Sequence, residues 1–397
     1  MKKKTLHDLD VRGKRVLMRV DFNVPMGKDG TVANDERIRA SLPSIRHVLD
    51  GGGSLVLMSH LGRPKGKADP ALSLAPVAKH LGSLLPGVTV RFAGESVGGA
   101  AEKAAFSLRP GEVLLLENLR FHAEEEKNDA GFAGRLAALG DVYVNDAFGT
   151  AHRAHASTAG VAAHFPVRAA GLLMEKEIDY LSRLLEAPER PFVAVLGGAK
   201  ISGKIDVIRN LAGKVDRLLV GGGMCGTFFA AAGLEIGDSL VEEDRIGTAK
   251  DLLAGGGGGK ILLPKDALVA DSLDEGAKTR VVPVTGVEKG WRIVDIGPET
   301  AKAFTGEIAS ARTVFWNGPM GIFETKPFAA GTEALARSLA GATERGAVTV
   351  VGGGDTVRAL HEAGVASHVS HVSTGGGASL EFVEGKELPG IAALSDR

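Results

Sequence analysis

Short apolar runs, each breaking off into a polar or glycine-rich loop, recur along the chain with stretches of helical spacing between them. This alternation limits the fold more than any other feature. The runs fall at 15–20, 54–58, 113–116 and 142–144, and again at 192–196, 217–220, 260–263, 313–316 and 348–351. Apolar strands alternating with helices at this spacing predict parallel sheets covered on both faces. In such sheets the loops after successive strands converge on one edge, where ligands bind. Those loops are the place to read chemistry.

At 397 residues the chain exceeds what one hydrophobic core usually holds. A helix-spaced stretch at 172–185 carries Glu175, Lys176, Glu177 and Asp179 among its apolar residues and ends before Pro188 and Pro191, which places a domain boundary there. Two similar α/β patterns flank it. With 44% hydrophobic and 24% charged residues the composition is that of a soluble globular protein. A formal charge of −1 and 5% aromatic residues argue against a nucleic-acid partner, so any anion site must be local. The one cysteine, Cys225, excludes an intramolecular disulfide and a multi-cysteine metal site, and fits a reducing cytoplasm. The opening MKKKTLHDLD regains charge before any apolar core of a signal peptide forms. No apolar run approaches the roughly 20 residues of a membrane helix. The glycine run at 255–259 reads as a flexible surface connection.

In the first half the strand-end loops carry Asp21-Phe22-Asn23, His60-Leu61-Gly62-Arg63, Asn118-Leu119-Arg120 and Asn145-Asp146, the last followed by His152-Arg153-Ala154-His155. Their convergence would gather Arg37, His60, Arg63, Arg120, Arg153 and the two later histidines on one edge. An arginine fork matches phosphate and carboxylate oxygens, so this edge suits a small polyanion. Each arginine alone could equally be a solvated surface residue, and His152 and His155 a satisfied pair at a helix start.

The second half is richer in glycine. In AVTVVGGGDTVRAL (347–360) a strand meets a glycine turn and a helix start, a geometry whose free amides favour an anion, and Asp355 there suits a hard cation such as Mg²⁺. An ordinary turn capped by Asp355 or Thr356 is the alternative. STGGGASL (373–380) repeats the design, and two such turns point to a polyphosphate. Residues 198–205 have the spacing of a phosphate-binding P-loop but place Ile205 where Ser or Thr is required, so they are rejected as one. Gly221, Gly223 and Gly226, with Glu242 and Glu243 beyond, match a dinucleotide fingerprint and keep a nicotinamide-dependent dehydrogenase open.

RVDFNVP (19–25), SHLGRPKG (59–66), LLLENLRF (114–121), NDAFGTAHRAHAST (145–158), GGAKISGKI (197–205), WNGPMGIFE (316–324), GGGDT (352–356) and STGGGASLE (373–381), in this order over nearly the whole chain, resemble the phosphoglycerate kinase family. The resemblance implies an α/β fold of two Rossmann-like domains, each a parallel sheet with helices on both faces, joined by a hinge helix. Residues 1–171 plus 387–397 would bind 3-phosphoglycerate, and 172–386, beginning with the interdomain helix 172–185, the nucleotide. The implied activity is a phosphotransferase with a carboxyl group as acceptor, acting between 1,3-bisphosphoglycerate and MgADP. Asp21, Phe22, Asn23, Arg37, His60, Leu61, Gly62, Arg63, Arg120 and Arg153 would hold the glycerate. Lys200, Lys204, Glu324, Gly353, Gly354, Asp355 and Thr356 would hold the nucleotide, with Asp355 ligating magnesium. Arg37, Lys204, Gly375, Gly376 and Gly377 would act on the group in flight. A cytoplasmic monomer with no nucleic-acid or membrane partner is implied. Cys225-Gly226 and Ser202-Gly203 depart from the usual residues around the nucleotide pocket. A non-catalytic scaffold descended from such an enzyme would be expected to have lost Arg37, Lys204 and Asp355, and all three are present.

Overall fold

A computed structural model describes residues 2–255 and 259–397, so the centre of the 255–259 glycine run lies outside the described residues. Six strands form the first sheet: β1 (Arg15–Arg19), β2 (Ser54–Met58), β3 (Val90–Phe92), β4 (Val113–Leu115), β5 (Val142–Asn145) and β6 (Arg168–Ala170). All pair in parallel, in the order β3-β4-β2-β1-β5-β6. Alternation within the strands divides the core. Val16, Met18, Leu55, Leu57, Val113, Leu115 and Val144 pack against Ile38, Ile45 and Val48 of helix Glu36–Asp50 and against Val77 and Leu81 of helix Ala75–Leu84. Leu17, Val56, Leu114 and Tyr143, on the other face, are equally buried.

The second half follows the same logic. Strands β7 (Phe192–Leu196), β8 (Arg217–Val220), β9 (Ile261–Leu262), β13 (Thr313–Asn317), β14 (Val348–Gly352) and β15 (His371–Val372) form a parallel sheet ordered β15-β14-β13-β7-β8-β9. Val193, Val195, Leu219, Val314, Trp316 and Val351 pack there with Phe304, Ile308, Leu335, Leu339 and Leu360 from three helices.

The structure adds what the apolar runs did not reveal. Between β9 and β13 lies an antiparallel sheet, β11-β10-β12, made of β10 (Asp266–Ala270), β11 (Thr279–Pro283) and β12 (Arg292–Ile296). Its outer strand alternates between exposed and half-buried residues and contains Arg280 and Pro283, so it lacks an apolar run. The edge strands β3, β6 and β15 are two or three residues long, too short for periodicity to register.

The chain divides into two compact units, the first reaching Asp179 and including Glu387–Arg397, the second spanning Tyr180–Lys386. The division falls within helix Leu172–Glu186. The last residues are bound into the first unit: Gly390 N–H donates to Ala151 O at 2.8 Å, Asn145 Nδ2 to Gly390 O at 3.3 Å, and Lys4 N–H to Ser395 O at 2.8 Å. A Cβ at Gly390 would lie 2.9 Å from Ala151 Cα, so the close approach requires glycine.

Helix Leu172–Glu186 starts on a buried carboxylate. Asp146 Oδ1 accepts from the amides of Leu173 and Met174 at 2.9 and 3.2 Å, while Ser44 Oγ accepts from Leu172 N–H at 2.9 Å. A Cβ at Gly171 would lie 2.1 Å from Asp146 Oδ1, so the chain must turn there without a side chain. Burial pushes the Asp146 carboxyl up to about 7, against the pull of Ser44 and the two amides. Because the folded value lies above the unfolded one, the native state holds the proton more tightly. The group's stabilising contribution is full below about pH 4 and is lost as pH rises through about 7. Asp146→Asn keeps an acceptor without the titration. Thermal unfolding should show wild-type stability falling between about pH 4 and pH 7, with a shallower fall in the variant; equal slopes would refute this.

Candidate functional site

In the first sheet the chain runs from β1 to β2 on one side and from β5 to β6 on the other, so the crevice at the carboxyl ends of β1 and β5 is the topological switch point. Phe22 and Leu61, both buried, floor this edge, and Phe22 N–H donates to Ser59 Oγ at 2.8 Å. Asn23 Oδ1 accepts from Gly62 N–H at 2.9 Å, tying the loop after β1 to the loop after β2. Gly62 has φ +62°, and a Cβ there would meet Leu72 Cδ2 at 2.8 Å. Buried Asn118 fixes the third loop, accepting from Leu61 and Arg120 amides and donating to Leu61 O at 2.7 Å and Leu72 O at 2.9 Å.

On this frame the charged groups gather. Arg37 NH1 donates to Asp21 Oδ2 at 2.8 Å, Arg120 NH1 to Gly62 O at 2.9 Å, and Arg153 Nε to His152 Nε2 at 3.2 Å. Arg63 is exposed, with no ion pair among the described residues. His155 stands where the helix-start reading put it, before the turn Ala156–Gly160, yet it also lies in the field of the arginines. Burial first, then Arg120, Arg19 and Arg153, lower its titration to about 4. Burial and then Arg19, Arg120 and Arg37 hold His60 well below the usual histidine range. Both rings are therefore neutral at physiological pH, and the positive charge resides on guanidinium groups.

The second sheet has its switch point between β7 and β13, and glycines let the adjoining loops pack backbone on backbone. Gly198 N–H donates to Pro319 O at 2.9 Å, Gly222 N–H to Met320 O at 3.0 Å and Met224 N–H to Gly198 O at 3.1 Å. A Cβ at Gly222 would lie 2.5 Å from Gly198 N, and one at Gly226 2.1 Å from Leu240 O. This overturns the dehydrogenase reading. The amides of Gly222, Met224, Cys225 and Gly226 are already committed within the chain, and Glu242 accepts from Ser202 Oγ at 2.5 Å and Ser202 N–H at 3.0 Å. Only the Gly223 amide lacks a described acceptor there, too few to cradle a pyrophosphate. The same contacts accommodate the unusual Ser202 and Cys225.

The turn after β14 is different. Helix Gly354–Glu362 begins after Gly353, whose φ is +91°, and neither Asp355 nor Thr356 caps it. Thr356 Oγ1 instead accepts from Gly318 N–H at 2.7 Å. The amides of Gly353, Gly354, Asp355 and Thr356 donate to no described residue, which leaves an open anion cradle. The Asp355 side chain is exposed, with no ion pair or hydrogen bond among the described residues. Beside the turn, Lys204 Nζ donates to Asn317 Oδ1, and Asn317 Nδ2 is buried without a partner. Gly353 fits because its absent Cβ would lie 3.1 Å from that Nδ2. Burial lowers Lys204 to about 8, with Glu384 and Asp355 pulling the other way.

Gly375, Gly376 and Gly377 follow β15, and Gly375 N–H donates to Ser373 Oγ at 3.2 Å. The amides of Gly376 and Gly377 have no described acceptor. Glu324 pairs with Arg358 of the helix that carries Asp355. Lys200 is exposed, and the described group it influences is Glu242. Sequence reasoning missed Arg19, Glu125, Ser157 and Asn317 as members of these sites. Arg19 was detectable as a charge closing an otherwise apolar, buried strand; Glu125 and Ser157 give no sign until the fold brings them under β1.

The phosphoglycerate kinase family model matches residues 6–386. The chain belongs to the phosphoglycerate kinase family. It is similar over the full length of both chains to the phosphoglycerate kinases of Prosthecochloris aestuarii, at 56% identity over 398 residues, and Chloroflexus aggregans, at 56% over 399. Its fold is similar to the solved phosphoglycerate kinase of Coxiella burnetii, with a TM-score of 0.90 and 42% identity over 98% of each chain. For that of Pyrococcus horikoshii OT3 the values are 0.84 and 33%, again over 98% of each chain. Among the described residues no helix is long and apolar enough to cross a membrane.

For a phosphoglycerate kinase, the depressed Lys204 has a measurable consequence. The family resemblance expects Lys204 to meet a nucleotide phosphate with its charged ammonium, a charge that burial lets go near 8 in the free protein. MgADP affinity should fall above that pH, approaching tenfold per unit. Titration calorimetry on Lys204→Ala should show weaker binding without that fall; an unchanged slope would remove Lys204 from the site.

Proposed function

We propose that this chain transfers a phosphoryl group reversibly between 1,3-bisphosphoglycerate and MgADP, giving 3-phosphoglycerate and MgATP. The basic edge of the first unit holds the acid, and the glycine-rich edge of the second holds the nucleotide. The observation that carries this reading is the full-length family match joined to two distinct anion sites of opposite design. Asp21, Asn23, Arg37, His60, Arg63, Arg120 and Arg153, on the Phe22, Leu61 and Gly62 floor, bind the glycerate. Lys200, Lys204, Glu324 and the 353–356 turn bind the nucleotide.

No nucleophilic triad is needed. In the direction of acyl-phosphate synthesis, the substrate carboxylate attacks the γ-phosphorus, the bond to the bridging oxygen breaks, and ADP leaves with its electron pair. The attacking oxygen is already ionised, so no general base acts. Catalysis rests on alignment and on neutralising charge over the equatorial oxygens. Arg37, prealigned by Asp21, and Lys204 supply positive charge. Gly375, Gly376 and Gly377 supply backbone amides. Magnesium arrives with the nucleotide and offsets phosphate charge. The unpartnered Asp355 carboxylate fits it, because Mg²⁺ takes few protein ligands and fills its remaining positions with water and phosphate oxygens.

Each ligand has its own unit, and the hinge that serves the transfer lies at the 172–186 helix and after Gly377. We place the protein in the cytoplasm as a monomer without nucleic-acid or membrane partners. The test is acyl-phosphate formation from MgATP and 3-phosphoglycerate, trapped with hydroxylamine. Arg37→Ala should lower turnover by about 100-fold or more, with a smaller effect on substrate affinity. Asp355→Ala should weaken dependence on magnesium. Unchanged turnover in Arg37→Ala would refute its role, and binding of both ligands without product would favour a non-catalytic scaffold.

A further inference from the structure

Behind His60 of the basic edge runs a chain of buried polar groups, Arg19, Ser157 and Glu125, that the reaction above leaves without a role. Arg19, Glu125 and His60 are 1%, 1% and 3% exposed, and Ser157 is fully buried. Glu125 lies on the short helix Ala123–Glu126 and Ser157 on the turn Ala156–Gly160, so the chain joins three separate parts of the first unit to the end of β1. Ser157 Oγ lies 2.6 Å from Glu125 Oε1, and Ser157 N–H donates to Oε2 at 3.0 Å. Arg19 Nε lies 2.8 Å from Ser157 Oγ, and Arg19 NH2 lies 3.1 Å from His60 Nδ1.

The direction of each bond follows from what the groups can do. A carboxylate only accepts, so the serine hydroxyl gives its single proton to Glu125. Its oxygen is then an acceptor, and the guanidinium, which only donates, supplies the N–H. At its other end the guanidinium again donates, so His60 Nδ1 must carry a lone pair. A neutral imidazole with an accepting Nδ1 has its proton on Nε2. His60 Nε2 has no partner among the described residues. The opposite tautomer would turn a lone pair toward an anionic ligand.

We propose that Glu125 is a positioning residue of the acid-binding edge, acting through Ser157 and Arg19 to hold His60 as its Nε2–H tautomer. Arg19 is held from three directions, because NH1 also donates to Val20 O, so its orientation is fixed before any ligand arrives. Glu125 also places one negative charge beneath Arg19, Arg120 and His155, with His155 Nδ1 at 3.9 Å. The inference rests on the reading of this edge as the 3-phosphoglycerate site.

The test combines imidazole nitrogen NMR of the full chain with steady-state kinetics for wild type, Ser157→Ala and Glu125→Gln. Wild-type His60 should show one neutral Nε2–H species. Ser157→Ala removes only a hydroxyl, and should give mixed tautomers at His60. It should raise the KM for 3-phosphoglycerate several-fold, leaving kcat within about twofold and the KM for MgATP unchanged. Glu125→Gln should move both readouts the same way; if it does not fold, Ser157→Ala decides. A wild-type Nδ1–H tautomer would overturn the proposal. So would a KM change without a tautomer change, or the reverse. A wild type that makes no acyl phosphate would instead defeat the functional reading, and the tautomer signal distinguishes the two failures.

Discussion

The candidate site groups are where they are because the strands of the two large sheets are hydrogen-bonded in parallel and buried largely on both faces. A parallel ladder cannot close with a tight hairpin, so each strand must be followed by a crossover, and helices cover the sheet. Few polar side chains then fit the strands' central positions, and Thr349, buried within β14, is held there by hydrogen bonds to Thr343 and Ser370. Polar side chains collect in the loops at the carboxyl ends, at the switch points beside β1 and β7. Arg19 tests the rule, since it closes β1 and is buried, and three hydrogen-bond acceptors surround it.

The two sheets meet the same requirement, an anionic ligand, with different chemistry. In the first unit, side chains provide the charge, and long arginines need to be aimed. Asp21 aims Arg37 on its helix, the Gly62 carbonyl aims Arg120, and Asn118 ties the Arg120 loop to the loop after β2. In the second unit the backbone itself is the ligand group, which is why glycines dominate. Some of them serve packing, as at Gly197, Gly222 and Gly318, where a Cβ would strike a neighbouring main chain. Others leave amides open, as at Gly353 and Gly354. Residue type is the same in both groups; whether the amide already has an acceptor separates a packing glycine from a binding one.

That distinction explains how far the sequence could be read. The central strands were legible because burial on both faces demands uninterrupted apolar residues, as in Ser54–Met58 and Phe192–Leu196. The antiparallel sheet was not, because its outer strand is half wet and has no run to detect. The arginine edge could be anticipated from residues at strand ends. The G-x-G-x-x-G match could not be judged, since only coordinates show that the amides of Gly222 and Gly226 are occupied. Glu125 and Ser157 carry no local signature at all. Their meaning depends on a contact between residues 32 positions apart and on a third partner 138 positions away.

The basic edge of the first unit is a place of concentrated like charge in a chain whose formal charge is −1. Arg19, Arg37, Arg120 and Arg153 all act on one or both of the buried histidines, and burial lowers Arg120 as well. Protonating His60 or His155 would add to that repulsion without solvent to screen it, so both stay neutral. Glu125 and Asp21 offset part of the field from below and beside, but neither removes it, because Glu125 is itself pushed toward the neutral form by burial. The remaining positive potential is best relieved by a multiply charged anion. A fold that holds its guanidiniums rigidly against their mutual repulsion has met the cost of organisation before the ligand arrives, and binding can then be both tight and directional.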